Sequence, residues 1–311
     1  MAISLESKFL GGMVGVALGD AIGELAFRWF DPKELLSQVE HQAVLRYTDD
    51  TAMTIGLAES LIEMGYIDDA HLGDTFRVNF NREPWRGYAS GPPAIFSRVE
   101  WEHIGYVEAA RDMFGGQGSF GNGAAMRIAP VGLFYYDDPM LYERARASSI
   151  VTHTHPVGID GAAVLACAIA RVVPLDPSAD FQPEALANDL VEFARTPEIR
   201  AKMAEAATCL QEKVSPSEAA RRLGRSVAVQ ESMPFALYAF LRHPKSFHDC
   251  LLCAITHGGD RDTLGAMAGA LSGTYLGVEG IPQAWQRKLE NREYIESLAV
   301  RLARLKRADA T

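Results

Sequence analysis

Disulfides, internal repeats and long apolar runs are all missing from this 311-residue sequence. Its four cysteines, Cys167, Cys209, Cys250 and Cys253, are too few for a disulfide framework. Cys250 and Cys253 form a CxxC, but no second CxxC exists to complete a zinc site. Both lie in the apolar run CLLCAI, which reads as a buried helix with the cysteines as small hydrophobes. Positive charge is scarce: 30 Lys and Arg against 40 Asp and Glu leave −10, which argues against nucleic-acid binding. A phosphorylated substrate is still allowed, provided cations reverse the field locally. The longest uncharged apolar stretch near the middle, 162–170, stops at Arg171, well short of the ~20 residues that span a bilayer. No membrane partner is expected. The opening MAISLESKFLGG has no basic region ahead of an apolar core, so no signal peptide is expected and the cytoplasm is the expected location.

Helical periodicity recurs along the chain, and strand alternation hardly appears. Segments 5–23, 51–64, 160–173, 183–195, 199–213, 217–223, 234–242, 246–256, 263–277 and 292–306 all read as helices. The proline-bearing loop PLDPSADFQPEA reads as a surface connection. The expectation is an all-α fold: one compact multi-helix domain over 1–311, monomeric. Two segments carry glycine every fourth residue: Gly11, Gly15, Gly19, Gly23, and Gly265, Gly269, Gly273, Gly277. A glycine inside a helix costs ~1 kcal/mol relative to alanine. Residues i and i+4 share a face, so each segment presents a bare groove suited to close helix packing. That packing would bring the loops at the helix ends together.

Two acidic clusters stand far apart in sequence. Thr48-Asp49-Asp50 opens the helix at 51–64, and Asp260-Arg261-Asp262-Thr263 opens the second glycine-striped segment. Helix capping is the plain explanation for either one, since Asp and Thr oxygens accept the orphan N–H groups of a first turn. Each cluster nevertheless has more carboxylates than a cap uses, and their mutual repulsion calls for a cation. Carboxylate and hydroxyl oxygens are hard donors suited to magnesium or manganese. Together they could hold two ions ~3.5–4 Å apart. Neither cluster contains His or Cys, which argues against zinc.

Three further features stand out. Gly115 to Gly123 holds five glycines in nine residues, a loop able to turn several N–H groups toward a phosphate or simply a tight structural turn. It matches neither a P-loop nor a dinucleotide fingerprint. Phe114 and Phe120 flank it, placed to stack on a base or to pack. Thr152-His153-Thr154-His155-Pro156 fits either a metal-binding His-x-His or a helix-entry turn. Glu24 follows the first glycine stripe, and a carboxylate there could serve in proton transfer.

The combination GxxxGxALGDAxG at 11–23, YTDDTAM at 47–53, GSFGNGAAMR at 118–127, THTHPxG at 152–158 and GGDRDTLGAMAGALSGTYLG at 258–277 resembles the ADP-ribosylglycohydrolase family. The motifs stand in family order across most of the chain. The resemblance implies an all-α fold with a binuclear magnesium or manganese centre at the base of a cleft, held by Thr48, Asp49, Asp50, Asp260, Asp262 and Thr263. It implies ADP-ribose contacts from the loop Gly118, Ser119, Phe120, Gly121 and Asn122 and from His153, with Phe114 and Phe120 along the nucleotide. RGYASG at 86–91 and ESMPFALYAFLR at 231–242 look most similar to the branch acting on serine-linked ADP-ribose and poly(ADP-ribose), with Val227 on the adenosine side.

Two positions depart from the pattern. The family usually reads GGDTDT where Arg261 stands here. Pointing outward, Arg261 changes nothing; pointing inward, it competes with an ion or clamps a phosphate. The glutamate of the serine-specific relatives falls near Phe27, leaving Glu24 as the nearest substitute. The implied reaction is hydrolysis at ribose C1″ of ADP-ribosylated proteins, the polymer or O-acetyl-ADP-ribose, with Asp49 or Asp50 accepting a proton from water and Glu24 protonating the leaving oxygen. A non-catalytic ADP-ribose-binding protein and a two-metal phosphoesterase are the alternatives.

Overall fold

The computed structural model describes residues 3–309. Among the described residues helices connect to helices throughout. The only extended pairings are isolated bridges at Leu45–Leu289 and Gly121–Ala228. Five helices carry the site: α1 (Leu5–Ala26), α2 (Asp49–Met64), α3 (Pro156–Val172), α4 (Val229–Arg242) and α5 (Arg261–Leu276). One continuous apolar core runs through all five.

The glycine stripes decide how α1 and α5 meet. A methyl group on Gly11 would fall 2.0 Å from the Gly273 carbonyl oxygen, one on Gly15 2.2 Å from that of Gly269, and one on Gly19 1.9 Å from that of Gly265. The pairing runs 11 with 273, 15 with 269 and 19 with 265, so the helices are antiparallel and in backbone contact. Any side chain at these positions would push them apart. All eight glycines serve this seam. Gly277 ends α5 with a φ of +72° and still lies against α1: a methyl group on Gly11 would fall 2.8 Å from its carbonyl carbon, and one on Gly277 2.6 Å from the Ser7 hydroxyl. The antiparallel seam sets the C-terminal end of α1 beside the N-terminal end of α5.

By length and composition α1 is apolar enough to cross a membrane, but 83% of its most apolar window is buried inside the protein. Its hydrophobicity is taken up by the core. Two charged side chains share that burial. The Lys8 ammonium donates to the carbonyls of Leu175 (2.7 Å) and Tyr275 (2.6 Å), where the last turn of α5 favours a cation. Asp20 is turned toward the site. All four cysteines are free and buried, the packing role expected of them.

Candidate active site

Asp20 shows how α1 builds the site. It is completely buried, and its carboxylate accepts hydrogen bonds from the backbone N–H groups of Thr48 and Thr51, each at 3.0 Å. The hydroxyls of the same threonines also donate to it, at 2.8 and 2.6 Å. One carboxylate thus ties down the turn that launches α2. Desolvation pushes Asp20 up to about 6, with the four threonine hydrogen bonds working the other way.

The two acidic clusters meet. Asp49, Asp50, Asp260, Asp262 and Thr263 all line one cavity of about 680 Å³. Burial raises Asp50 well above the usual carboxylate range, and the charge of Asp262 is the next contributor. Burial followed by Asp20 lifts Asp49 to about 7; burial followed by Asp260 lifts Asp262 to about 8. Segments more than two hundred positions apart therefore repel one another across a shared space.

Capping accounts for little of this cluster, although Asp262 Oδ1 accepts the Thr263 N–H of the first turn of α5 at 2.9 Å. Thr48 and Asp260 occupy the N-cap positions of α2 and α5, but neither side chain makes a capping hydrogen bond. The Thr48 hydroxyl turns instead to Asp20 and, at 3.2 Å, to Asp50. Asp50 Oδ1 is buried with no hydrogen-bond partner. An orphaned carboxylate oxygen among other carboxylates suits a hard cation, as does an all-oxygen donor set. Among the described residues, however, no three His, Cys, Asp or Glu side chains are already drawn together as a metal site. The donor chemistry fits a divalent cation, and the side chains must close further around it.

The glycine loop forms the opposite wall. Asn122 N–H donates to the Val227 carbonyl (2.9 Å) and Val229 N–H to that of Phe120 (3.1 Å), which brings Val227 against the loop. Gly118 adopts φ +71°, and a methyl group there would lie 2.1 Å from the Thr154 hydroxyl. Phe114 takes the left-handed conformation at φ +54°, unusual for a bulky residue, and remains largely exposed at the mouth. Phe120 and Val227 are exposed beside it, and Phe120 packs edge-on to His155. The Ser119 hydroxyl accepts from Gly121 N–H within the loop. The Asn122 side chain links the two walls: its amide donates to Asp260 Oδ2 at 2.7 Å.

The two histidines divide their roles. His155 is the N-cap of α3 and accepts from Val157 N–H. His153 lines the cavity, and burial followed by the Arg127 charge pushes its imidazole down to about 3. Its burial thus favours the neutral ring.

Thr48 does not line the cavity wall; it stands behind Asp50. Glu24 is exposed and also outside the cavity lining, although Gly23 beside it packs on the backbone of Arg261 and Asp262. Burial raises the Glu24 carboxyl, and Arg28 opposes the rise. Arg261 points away from the cavity, with its guanidinium donating to the Ile255 carbonyl at 2.7 Å. Of the two orientations considered for it, the outward one holds.

Two site residues escaped sequence reasoning. Asp20 lies within the GDAxG stretch, and its signal was the one acid in the otherwise apolar run 9–23. Arg127 closes the AAMR stretch and lies fully buried on the cavity floor. The RGYASG segment contributes Gly87, Ala89, Ser90 and Gly91 to the lining. Arg86 anchors that segment through Glu290 (2.6 Å), Glu83 (3.0 Å) and the Tyr47 carbonyl (3.1 Å).

Known proteins resemble this chain along most of its length. The chain is 31% identical to ADP-ribosylhydrolase ARH3 of Mus musculus, over 96% of this chain and 92% of that protein. It is 26% identical to the ADP-ribosyl-[dinitrogen reductase] glycohydrolase of Rhodospirillum rubrum, over 92% of each. A solved structure described as an ADP-ribosylglycohydrolase-related protein complex superposes with a TM-score of 0.73 at 26% identity, covering 97% of this chain and 99% of the other. A model of the ADP-ribosylglycohydrolase family matches residues 1–311. The chain belongs to the ADP-ribosylglycohydrolase family and is a hydrolase acting on ADP-ribose glycosidic bonds.

Proposed function

We propose that this enzyme removes ADP-ribose from serine side chains of modified proteins and from poly(ADP-ribose) or O-acetyl-ADP-ribose, with two magnesium or manganese ions. The observation that carries the metal reading is Asp50 Oδ1, buried and unpartnered among carboxylates from both α2 and α5. Thr48, Asp49, Asp50, Asp260, Asp262 and Thr263 would hold the ions. When bound, such ions orient the cis hydroxyls of the ribose and make a bound water more acidic.

The chain's own residues supply the rest. The glycine loop holds the diphosphate through backbone N–H groups other than those of Gly118, Gly121 and Asn122, which already donate within the protein, and Phe114, Phe120 and Val227 fix the adenosine end at the mouth. Asp49 or Asp50 accepts a proton from the attacking water. The bond between C1″ and the acceptor oxygen breaks through an oxocarbenium-like state, water adds to C1″, and the acceptor leaves as its hydroxyl. Glu24, exposed and next in sequence to the Gly23 that packs on the Asp262 backbone, is the carboxyl assigned to donate to the leaving oxygen, and burial shifts it upward against the pull of Arg28.

The test is a panel of serine-linked, arginine-linked, polymeric and O-acetyl substrates, each with magnesium and with EDTA, and with products identified by mass. Intact ADP-ribose released from the serine and polymer substrates, abolished by EDTA and restored by magnesium, is the expected result. Full turnover in chelator would defeat the metal reading. Release of AMP would instead make the enzyme a phosphoesterase.

A further inference from the structure

Arg127 lies on the cavity floor with its guanidinium 4.7 Å from the centre of the Phe76 ring. It donates to the carbonyls of Gly123 (3.1 Å) and Ser148 (3.2 Å) and to the Thr152 hydroxyl oxygen (2.7 Å). A guanidinium has no acceptor atom, so in the last contact the threonine oxygen must accept. That leaves the Thr152 hydroxyl proton to be placed. Thr152 is buried, and the remaining partner of its oxygen is His153 Nδ1 at 2.8 Å. If Nδ1 carried the proton instead, the threonine hydroxyl hydrogen would be buried without an acceptor, a loss of about 1–3 kcal/mol. Nδ1 therefore accepts, and the imidazole proton sits on Nε2. That edge of the ring faces the glycine loop: methyl groups on Gly121 and Gly123 would lie 3.6 and 3.0 Å from Nε2.

We propose that Arg127 and Thr152 form a positioning relay that fixes His153 as the Nε2–H tautomer. His153 then offers the nucleotide a permanent neutral donor for one of its oxygens and is barred from acting as a base or metal ligand through Nε2. The relay rests on the ADP-ribose reading only for the identity of that oxygen. The same guanidinium holds the Gly123 carbonyl, so the donor and the loop beside it are set by one side chain.

Two readouts on the full chain separate the relay from the ligand. Long-range proton–nitrogen correlation on 15N-histidine-labelled protein without ligand reads the tautomer. Calorimetry with ADP-ribose reads affinity. The wild type is expected to show Nε2–H alone. Thr152→Val keeps the shape but removes the hydroxyl; it is expected to mix the tautomers and weaken ADP-ribose binding about tenfold. Thr152→Ser is expected to restore the single tautomer and bring affinity back to within about twofold, which a purely structural threonine would not require. An Nδ1–H tautomer in the wild type, or a Thr152→Val variant with tautomer and affinity unchanged, overturns the proposal. A wild type with the expected tautomer, sensitive to Thr152→Val, but without affinity for ADP-ribose would overturn the substrate reading and leave the relay supported.

Discussion

Asp20 gains its importance from what faces it. Two backbone N–H groups and two hydroxyls converge on one carboxylate, and an acceptor-only group answers them all. An asparagine in its place brings an NH2 that points hydrogens at backbone N–H groups. The turn at Thr48–Thr51 then loosens, and Asp49 and Asp50 lose their fixed approach to the cavity. Losing one or two of these charge-assisted bonds, at about 1.5–3 kcal/mol each, predicts that Asp20→Asn lowers turnover of an ADP-ribosylated peptide at least tenfold at saturating magnesium. Steady-state kinetics beside a circular-dichroism check of folding decides it. Wild-type turnover from a folded Asp20→Asn protein would reduce Asp20 to an ordinary buried acid.

The α1–α5 seam is a device of whole elements, because its contacts are between backbones. At Gly15 an added methyl meets the Gly269 carbonyl oxygen at 2.2 Å, and neither helix has a flexible side chain there to give way. Overpacking of this kind costs about 1–3 kcal/mol or more. Gly15→Ala is therefore expected to destabilise the protein by at least about 3 kcal/mol and to weaken magnesium binding by spreading the ends of the two helices. Gly91→Ala, where an added methyl meets nothing within 4 Å, stays within about 0.5 kcal/mol of wild type. Urea titration of both variants checks the pair, and equal stability would contradict the close approach. The stripes that make this seam were legible in the sequence because periodicity four is a local pattern. So were the acidic clusters and the glycine loop, each a dense local run. Asp20 and Arg127 were not, because their partners lie elsewhere: Asp20 holds residues 28 and 31 positions away, and Arg127 reaches Thr152 25 positions on. A single polar residue in an apolar run carries no sign of what it will face. Short helices such as Tyr106–Arg111 and Ala129–Phe134 also escaped periodicity, since one or two turns do not display a face.

At the scale of the molecule, an excess of ten negative charges is compounded by gathering several buried carboxylates in one cavity. Asp20 is raised to about 6, Asp49 to about 7 and Asp262 to about 8, each from an ordinary 3.8, with burial the leading cause. A carboxylate raised on folding holds its proton in the native state at pH values where the unfolded chain has released it. Between about pH 4 and 8 the metal-stripped native state therefore binds more protons than the unfolded state. Its stability from these groups falls as pH rises, by about 1.4 kcal/mol per pH unit for each proton retained. On the metal reading proposed above, a divalent cation would reverse the sign: it would bind the deprotonated cluster, compete with protons for the same oxygens, and replace repulsion with coordination. The magnesium-induced rise in Tm is thus expected to be small at pH 5.5 and to grow by several degrees by pH 8.5, since cation binding at a hundred times Kd adds about 2.7 kcal/mol and each kcal/mol moves Tm by roughly 2–4 °C in a chain of this size class. Thermal unfolding of metal-stripped and magnesium-loaded protein across that range measures the difference directly. An equal magnesium effect at both pH values would mean that protons and cations do not share these carboxylates, and the cavity would then need another explanation for Asp50.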